Sequence, residues 1–418
     1  MSAAPSGVQP RAALAVVVLA LAPFSLGYLL SQLFRAVNAI IEKDLVADVG
    51  LGPADLGLVT AAYLAAFALF QAPLGVLLDR FGPRRVQAAL LSVAAMGAFL
   101  FATGEDVITL IVARAMIGLG FAGGLMASFK AVVIWVSAPR RALANALVMS
   151  SGGIGVLAAT APMEWATQAF GWRDVFLALA GANFVVAMII LLAVPERASG
   201  TSSVTIWQQI RETGAIFSDR AFLCLTPLLA TTTGCHIAIQ TLWAGPWFRD
   251  VAGYDRNEVA FALLLMAAAF FVGILLTGWV ADWLVRRGVS LLATMLCFML
   301  LFLGSQVAIV LGWTGALMLA NWMVFGMLGQ VSVLAFAWLA AYFGAARSGR
   351  AHTAANLVIF STAFAMQYAI GAIIELYPRT PTGGYETESY TAAVGVALGL
   401  QLLALGWYLI NIRHVPLR

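Results

Sequence analysis

GVLLDRFGPRR, residues 75–85, and GWVADWLVRRG, residues 278–288, are the two stretches from which the fold is read. Each opens on a glycine (Gly75, Gly278), reaches an aspartate one helical turn later (Asp79, Asp282) and ends near paired arginines (Arg84 and Arg85; Arg286 and Arg287). Each also separates two long apolar runs, the second and third of a set of six. A loop repeated at the same place in two sets of six runs is the mark of a duplicated membrane chain.

The composition agrees. Of 418 residues, 62% are hydrophobic and 10% charged, with a mean hydropathy of +0.95. A water-soluble domain carries about 25% charged residues, so most of this surface must meet lipid. Twelve spans are predicted, at 13–42, 56–78, 86–103, 107–136, 142–170, 174–194, 220–249, 258–280, 289–311, 314–343, 353–377 and 390–412. Their length and lack of alternation exclude the strands of a closed barrel. Kinks are expected at Pro73, Pro162, Pro227 and Pro246. The first run continues past Phe24 to about Ile41, too far for a cleaved signal segment. The polar stretch 195–219 is read as a linker between two bundles, 1–194 and 220–418.

The net charge of +4 is not a nucleic-acid signal, because the basic residues sit in short clusters between apolar runs. Fifteen of the 23 basic residues fall on the side of the N-terminus and five on the other. That bias predicts that both termini are cytoplasmic. Cys224, Cys235 and Cys297 lie inside apolar stretches with neither disulfide nor zinc spacing. No phosphate-cradling loop or catalytic triad pattern is present, and neither a cofactor nor an enzyme activity is expected.

The loop at 75–85, with Arg80 and Gly82 completing its pattern, resembles the G-x-L-x-D-R-x-G-R-R signature of the major facilitator superfamily. Arg114-x-x-x-Gly118-x-Gly120 resembles a second motif of that family. SGGIGVLAATAP in the fifth span matches its antiporter signature only in part, with Ala161 before the proline. The resemblance covers about residues 13–412. It implies an all-α membrane protein of 12 transmembrane helices in two six-helix bundles, monomeric, in a bacterial plasma (inner) membrane. It also implies that the loop residues Gly75, Asp79, Arg80, Gly82, Arg84, Arg85, Gly278, Asp282, Arg286 and Arg287, together with Arg114, serve gating. Asp79 would then face the start of the eleventh helix near His352, where a helix N-terminus favours an anion. The plainer alternative is a solvated loop that only fixes topology.

An ionisable residue inside a span costs on the order of 3 kcal/mol, so it faces a cavity or a partner. Arg35, Asn38 and Glu42 share one face of a straight first helix. Arg35 occupies a place resembling the anion-binding arginine of the family's organophosphate–phosphate exchanger branch, and Lys130 falls where that branch also carries a basic residue. They are expected to hold an anionic substrate by charge-assisted hydrogen bonds. Otherwise Arg35 pairs with Glu42, and Lys130 reaches for the surface. The seventh helix lacks that branch's second arginine. It offers His236, Gln240 and Trp243 on one face, which fits a carboxylate or zwitterion better than a doubly charged ester. Gln330, Asn321 and Gln367 are further cavity candidates, or polar contacts between helices. Glu164, near Arg173, and Glu375 are candidate proton sites, and His236 is also able to take a proton near neutral pH.

The expected activity is therefore secondary transport of a small organic anion, coupled to protons. Three alternatives stand beside it: a drug or metabolite exporter, a non-transporting receptor, and a copper importer using Met295/Met299 or Met323/Met327. Methionine is also ordinary core filler, and no metal site is expected.

Overall fold

In a computed structural model the described residues are 10–137, 140–195, 211, 214–329, 331–344, 347–381 and 383–415. Apart from one isolated bridge between Arg379 and Tyr385, they are helical or loop. The first helix, α1, is a bent pair, Pro10–Ala36 and Asn38–Val49. Pro53–Thr103 breaks at Gly82 (φ 76°, ψ 161°) into α2 before it and α3 after it. Then come α4 (Val107–Trp135), α5 (Arg141–Ala158 with Ala161–Phe170) and α6 (Trp172–Ala193). The second set is α7 (Arg220–Asp250), α8 (Arg256–Arg286), α9 (Leu291–Val310), α10 (Met318–Phe343), α11 (Ser348–Ile374) and α12 (Thr387–Asn411). Among the described residues ten helices are long and apolar enough to cross a membrane, and twelve when each bent pair is one crossing. Twelve crossings return the chain to the face from which it starts, here called the chain-end face.

Polar residues punctuate the apolar runs by capping them. Asp106 accepts from the Thr109 amide, Asp219 from Phe222, Ser290 from Ala293, and Asp255 from Glu258 in a reciprocal capping box. The Thr109 hydroxyl and amide hold the Asp106 carboxyl below the usual range. The outward surface is apolar, with Leu192 and Ile410 each 78% exposed, as a lipid-facing wall requires.

The two sharp bends differ in cause. In α5 the chain turns by 49° just before Pro162, as the proline predicts. In α1 the 51° turn falls at Val37, where there is no proline to announce it. Close helix crossings are made at glycines. A Cβ on Gly118 would lie 2.1 Å from the Tyr63 carbonyl oxygen, and one on Gly155 would lie 2.1 Å from that of Leu29. Gln306 and Gln401 exchange amide hydrogen bonds of 3.0 and 2.8 Å between α9 and α12. Asn321 donates to the Ser305 carbonyl. Both are interhelical contacts rather than cavity groups.

Candidate functional site

A cavity of about 370 Å³ lies between the first six helices and the last six. Its lining runs from Arg35, His236 and Phe360 at mid-depth to Phe129, Phe336 and His352 in the turns nearest the chain-end face. No Asp or Glu is among the described residues that line it.

Arg35 supplies its fixed charge. The α1 bend two residues later leaves Arg35 at the end of the first arm. There its guanidinium carbon stands 4.9 Å from the Phe67 ring centroid, 5.3 Å from Phe360 and 5.8 Å from Tyr63. Phe67 belongs to α2 and Phe360 to α11, and their rings meet at 4.6 Å. Among the described residues Arg35 has no ion pair and no hydrogen bond, and its Nε is buried without a partner. The aromatic faces attract the guanidinium but leave its donors unused.

The bend also undoes the common face that a straight helix would give Arg35, Asn38 and Glu42. Asn38 Nδ2 donates to Thr60 Oγ1 at 2.7 Å, fully buried between α1 and α2, and is not in the cavity lining. Glu42 pairs with Arg249 across to α7, not with Arg35. In α7 a π-turn at Ile239–Trp243 inserts an extra residue into the helical register. His236 and Gln240 therefore line the cavity, whereas Trp243 turns away and donates to the Gln367 carbonyl at 3.0 Å. Both His236 ring nitrogens and Gln240 Nε2 are buried without partners. Lys130 is not in the cavity wall either. Its ammonium pairs with Asp79 and donates to the Leu78 carbonyl at 2.7 Å, near the chain-end face. Gln330 lies outside the described residues.

Asp79 thus faces Lys130 of α4 rather than the start of α11. His352 instead has Nε2 2.9 Å from the Phe336 carbonyl oxygen. The cavity lining reaches Phe336 and His352 on this face. Elsewhere in the first loop, Gly75 is a half-buried helical position and Gly82 is the positive-φ break. Arg80 lies over Phe81, Arg84 Nε donates to the Leu191 carbonyl at 3.0 Å, and Arg85 is exposed. The second loop is looser. A Cβ on Gly278 would meet open space, Asp282 and Arg286 are exposed and 3.6 Å apart, and Arg287 stacks on Trp283 at 3.8 Å.

Arg114 is fully buried behind the cavity. Its Nη1 donates to the Phe34 carbonyl at 3.1 Å, one residue before Arg35, and its guanidinium lies over Tyr63 and Phe101. It holds the turn of α1 that carries Arg35.

The opposite face is shut. Among the described residues three ion pairs join the two sets of helices, and all lie there: Arg249 with Glu42, Arg256 with Glu164, and Arg256 with Asp44 at 2.6 Å. Glu164 therefore meets Arg256, not Arg173, which binds the Ala102 and Gly104 carbonyls. Glu375 accepts from the Ala54 amide at 3.1 Å. Glycines let the backbones meet there. A Cβ on Gly371 would lie 2.3 Å from the Pro53 oxygen, one on Gly57 2.8 Å from that of Gln367, and one on Gly245 2.5 Å from that of Ala39. A second cavity of about 580 Å³, lined by Lys43, Arg249, Arg379, Tyr385 and Tyr390, lies on this face, with Trp243 also in its wall. The sequence reading missed this whole closure. Its signals, glycines on facing helices and charges at span ends, have meaning only once the helices are paired.

Met295 and Met299 are buried in the core, and Met323 is exposed. Cys224 and Cys235 are buried and Cys297 is exposed, all as free thiols.

The sequence profile described as "Major Facilitator Superfamily" matches residues 24–367. The chain belongs to the major facilitator superfamily. It is a multi-pass membrane protein, as that family's members are. Among its relatives is the "Probable galactarate/D-glucarate transporter" of Escherichia coli K12, 26% identical over 287 residues, which are 62% of this chain and 64% of that one. A D-galactonate transporter of E. coli O6:H1 is 27% identical over 62% of this chain and 65% of its own. The niacin transporter of Acinetobacter baylyi is 26% identical over 85% of this chain and 77% of its own. The match thus spans just under two thirds of the sugar-acid relatives. Among solved structures, a bacterial homologue of the human lysosomal transporter Spinster superposes with a TM-score of 0.77 at 15% identity, covering 98% of both chains. A D-xylose–proton symporter gives 0.69 at 15% identity. Those likenesses establish the fold.

Proposed function

We propose that this superfamily member is a secondary transporter of a small organic anion, held at Arg35 and moved by alternating access. One observation carries the reading. A mid-depth arginine with no counter-ion among the described residues lines a cavity that both sets of helices form and that has no acid among its described lining residues. A carboxylate bound there supplies the missing charge and the missing hydrogen-bond acceptors together, in the fork geometry that guanidinium favours. The named substrates of the relatives, galactarate, D-glucarate, D-galactonate and niacin, are carboxylic acids.

In this reading residues 1–194 and 220–418 rock against each other as two bundles, with both chain ends in the cytoplasm of a bacterial inner membrane. The open chain-end face is then the inward-open state. The Glu42–Arg249 and Glu164–Arg256 pairs form the outer gate. The Asp79–Lys130 pair holds the inner loop until Asp79 is released to meet the start of α11 in the opposite state. Protons are the coupling ion, and Glu42 and Glu164 are the carboxylates whose neutralisation would loosen the outer gate. An exporter of cations has no acid in the described cavity wall with which to hold its cargo.

Proteoliposomes holding the full chain test this. They should accumulate labelled carboxylates down a proton gradient and leave organic cations outside. Uptake of cations with no uptake of any carboxylate would overturn the anion assignment, and binding without flux would point to a receptor.

A further inference from the structure

We infer that the cavity selects an apolar, flat-bodied monocarboxylate with at most one or two hydrogen-bonding groups beyond its carboxylate, rather than a polyhydroxy acid. This presupposes the anion site at Arg35 and concerns what the rest of the cavity does to the substrate's body.

The wall around Arg35 is aromatic on both sides. Phe129 comes from α4, Phe270 from α8, Phe336 from α10 and Phe360 from α11, with Leu125, Met126 and Ile237 between them. Several of its polar groups are already engaged with the protein. Gln32 Nε2 donates to the Tyr28 hydroxyl at 2.8 Å, the Thr241 hydroxyl to the Ile237 carbonyl at 2.7 Å, and His352 pairs with the Phe336 carbonyl. The buried polar atoms left unpartnered in the wall are Arg35 Nε, the two His236 nitrogens and Gln240 Nε2. Even His236 sits among rings. It is parallel to Phe270 at 5.5 Å and close to Phe325 at 5.3 Å, with the bare backbone of Gly329 against its edge.

A sugar acid carries a hydroxyl on nearly every carbon, and each must find a partner when water is stripped away. Against those hydroxyls the wall sets the His236–Gln240 cluster, the Asn356 amide and the Thr233 hydroxyl, and most of the rest is stacking surface. An aromatic ring uses that surface, edge-on or offset against the phenylalanines. Its carboxylate meets Arg35, and one polar substituent reaches the His236–Gln240 pair across the cavity. The same wall disfavours a second carboxylate, for which no second fixed positive charge is present among the described lining residues.

The test is calorimetric titration of the full chain in lipid nanodiscs with 4-hydroxybenzoate, benzoate, gluconate and glucarate, with benzamide as the uncharged ring. The aromatic acids should bind at least about tenfold more tightly than gluconate or glucarate, and benzamide far more weakly than benzoate. Phe129→Asn should weaken benzoate more than it weakens gluconate. Binding of gluconate or glucarate as tight as that of the aromatic acids, and abolished by Arg35→Gln, would overturn the aromatic body while the anion site stands. Binding of benzamide equal to benzoate, or of no acid at all, would overturn the anion site and this inference with it.

Discussion

Arg256→Gln is the perturbation that probes the closed face most sharply. Arg256 is about one-third exposed (31%) and touches Asp44, 25% exposed, and Glu164, 4% exposed. Removing one partner of a fully buried pair costs 3–5 kcal/mol, and of an exposed pair about 0–1 kcal/mol. A site between those limits is worth about 2 kcal/mol. That cost falls on the closed state, because Glu164 and Asp44 regain water when the face opens. At 1.4 kcal/mol per factor of ten, the equilibrium should move about thirtyfold toward the open opposite face. Spin labels at Glu105 and Glu388, exposed on that face in the first and second sets of helices, would report it after Cys297→Ser removes the exposed thiol. The long-distance population should grow strongly in Arg256→Gln and remain small in Arg173→Gln, whose side chain stays within the first set. An unchanged distance distribution in a folded Arg256→Gln protein would refute the assignment of these pairs as a gate.

Other consequences are as specific. Gly371→Ala puts a methyl 2.3 Å from the Pro53 oxygen and 2.9 Å from Trp243 Cζ2, so the same labels should show the opposite face held open; a wild-type distribution would contradict that contact. Gln306→Leu or Gln401→Leu alone strands a buried amide at about 1–3 kcal/mol, whereas the double variant should regain part of the lost thermal stability; strictly additive losses would show that the pair is uncoupled. Lys130→Gln should leave equilibrium binding of the anion unchanged and slow turnover, since the ammonium serves Asp79; weakened binding with unchanged turnover would return Lys130 to the substrate site.

The sequence revealed the architecture because apolar runs and repeated loops are local patterns, and lipid permits few structures. Arg35 stood out as an ionisable residue inside a span, which must face a cavity or a partner, although the sequence also offered Glu42 of the same helix as that partner. The shared face with Asn38 and Glu42 failed because α1 turns at Val37 without a proline to announce it. Trp243 left the His236–Gln240 face through a single π-turn, which side-chain periodicity cannot see. Lys130 was read either as an anion ligand or as reaching for the surface, and its partner Asp79 lies 51 residues earlier in the chain. The closed face is the least local feature of all. Glu42 and Arg249 are 207 residues apart, and only the packing of α1 against α7 joins them. Gly245 and Gly371 likewise show their role only once the helix opposite each is known.

The central claim is that an uncompensated Arg35 anchors the transported anion. Counterflow of a labelled carboxylate in proteoliposomes, compared between wild type, Arg35→Lys and Arg35→Gln at matched insertion, tests it most directly. Exchange should vanish in Arg35→Gln and be strongly impaired in Arg35→Lys, which keeps the charge but loses the planar fork. Exchange by Arg35→Gln at the wild-type rate would contradict the account.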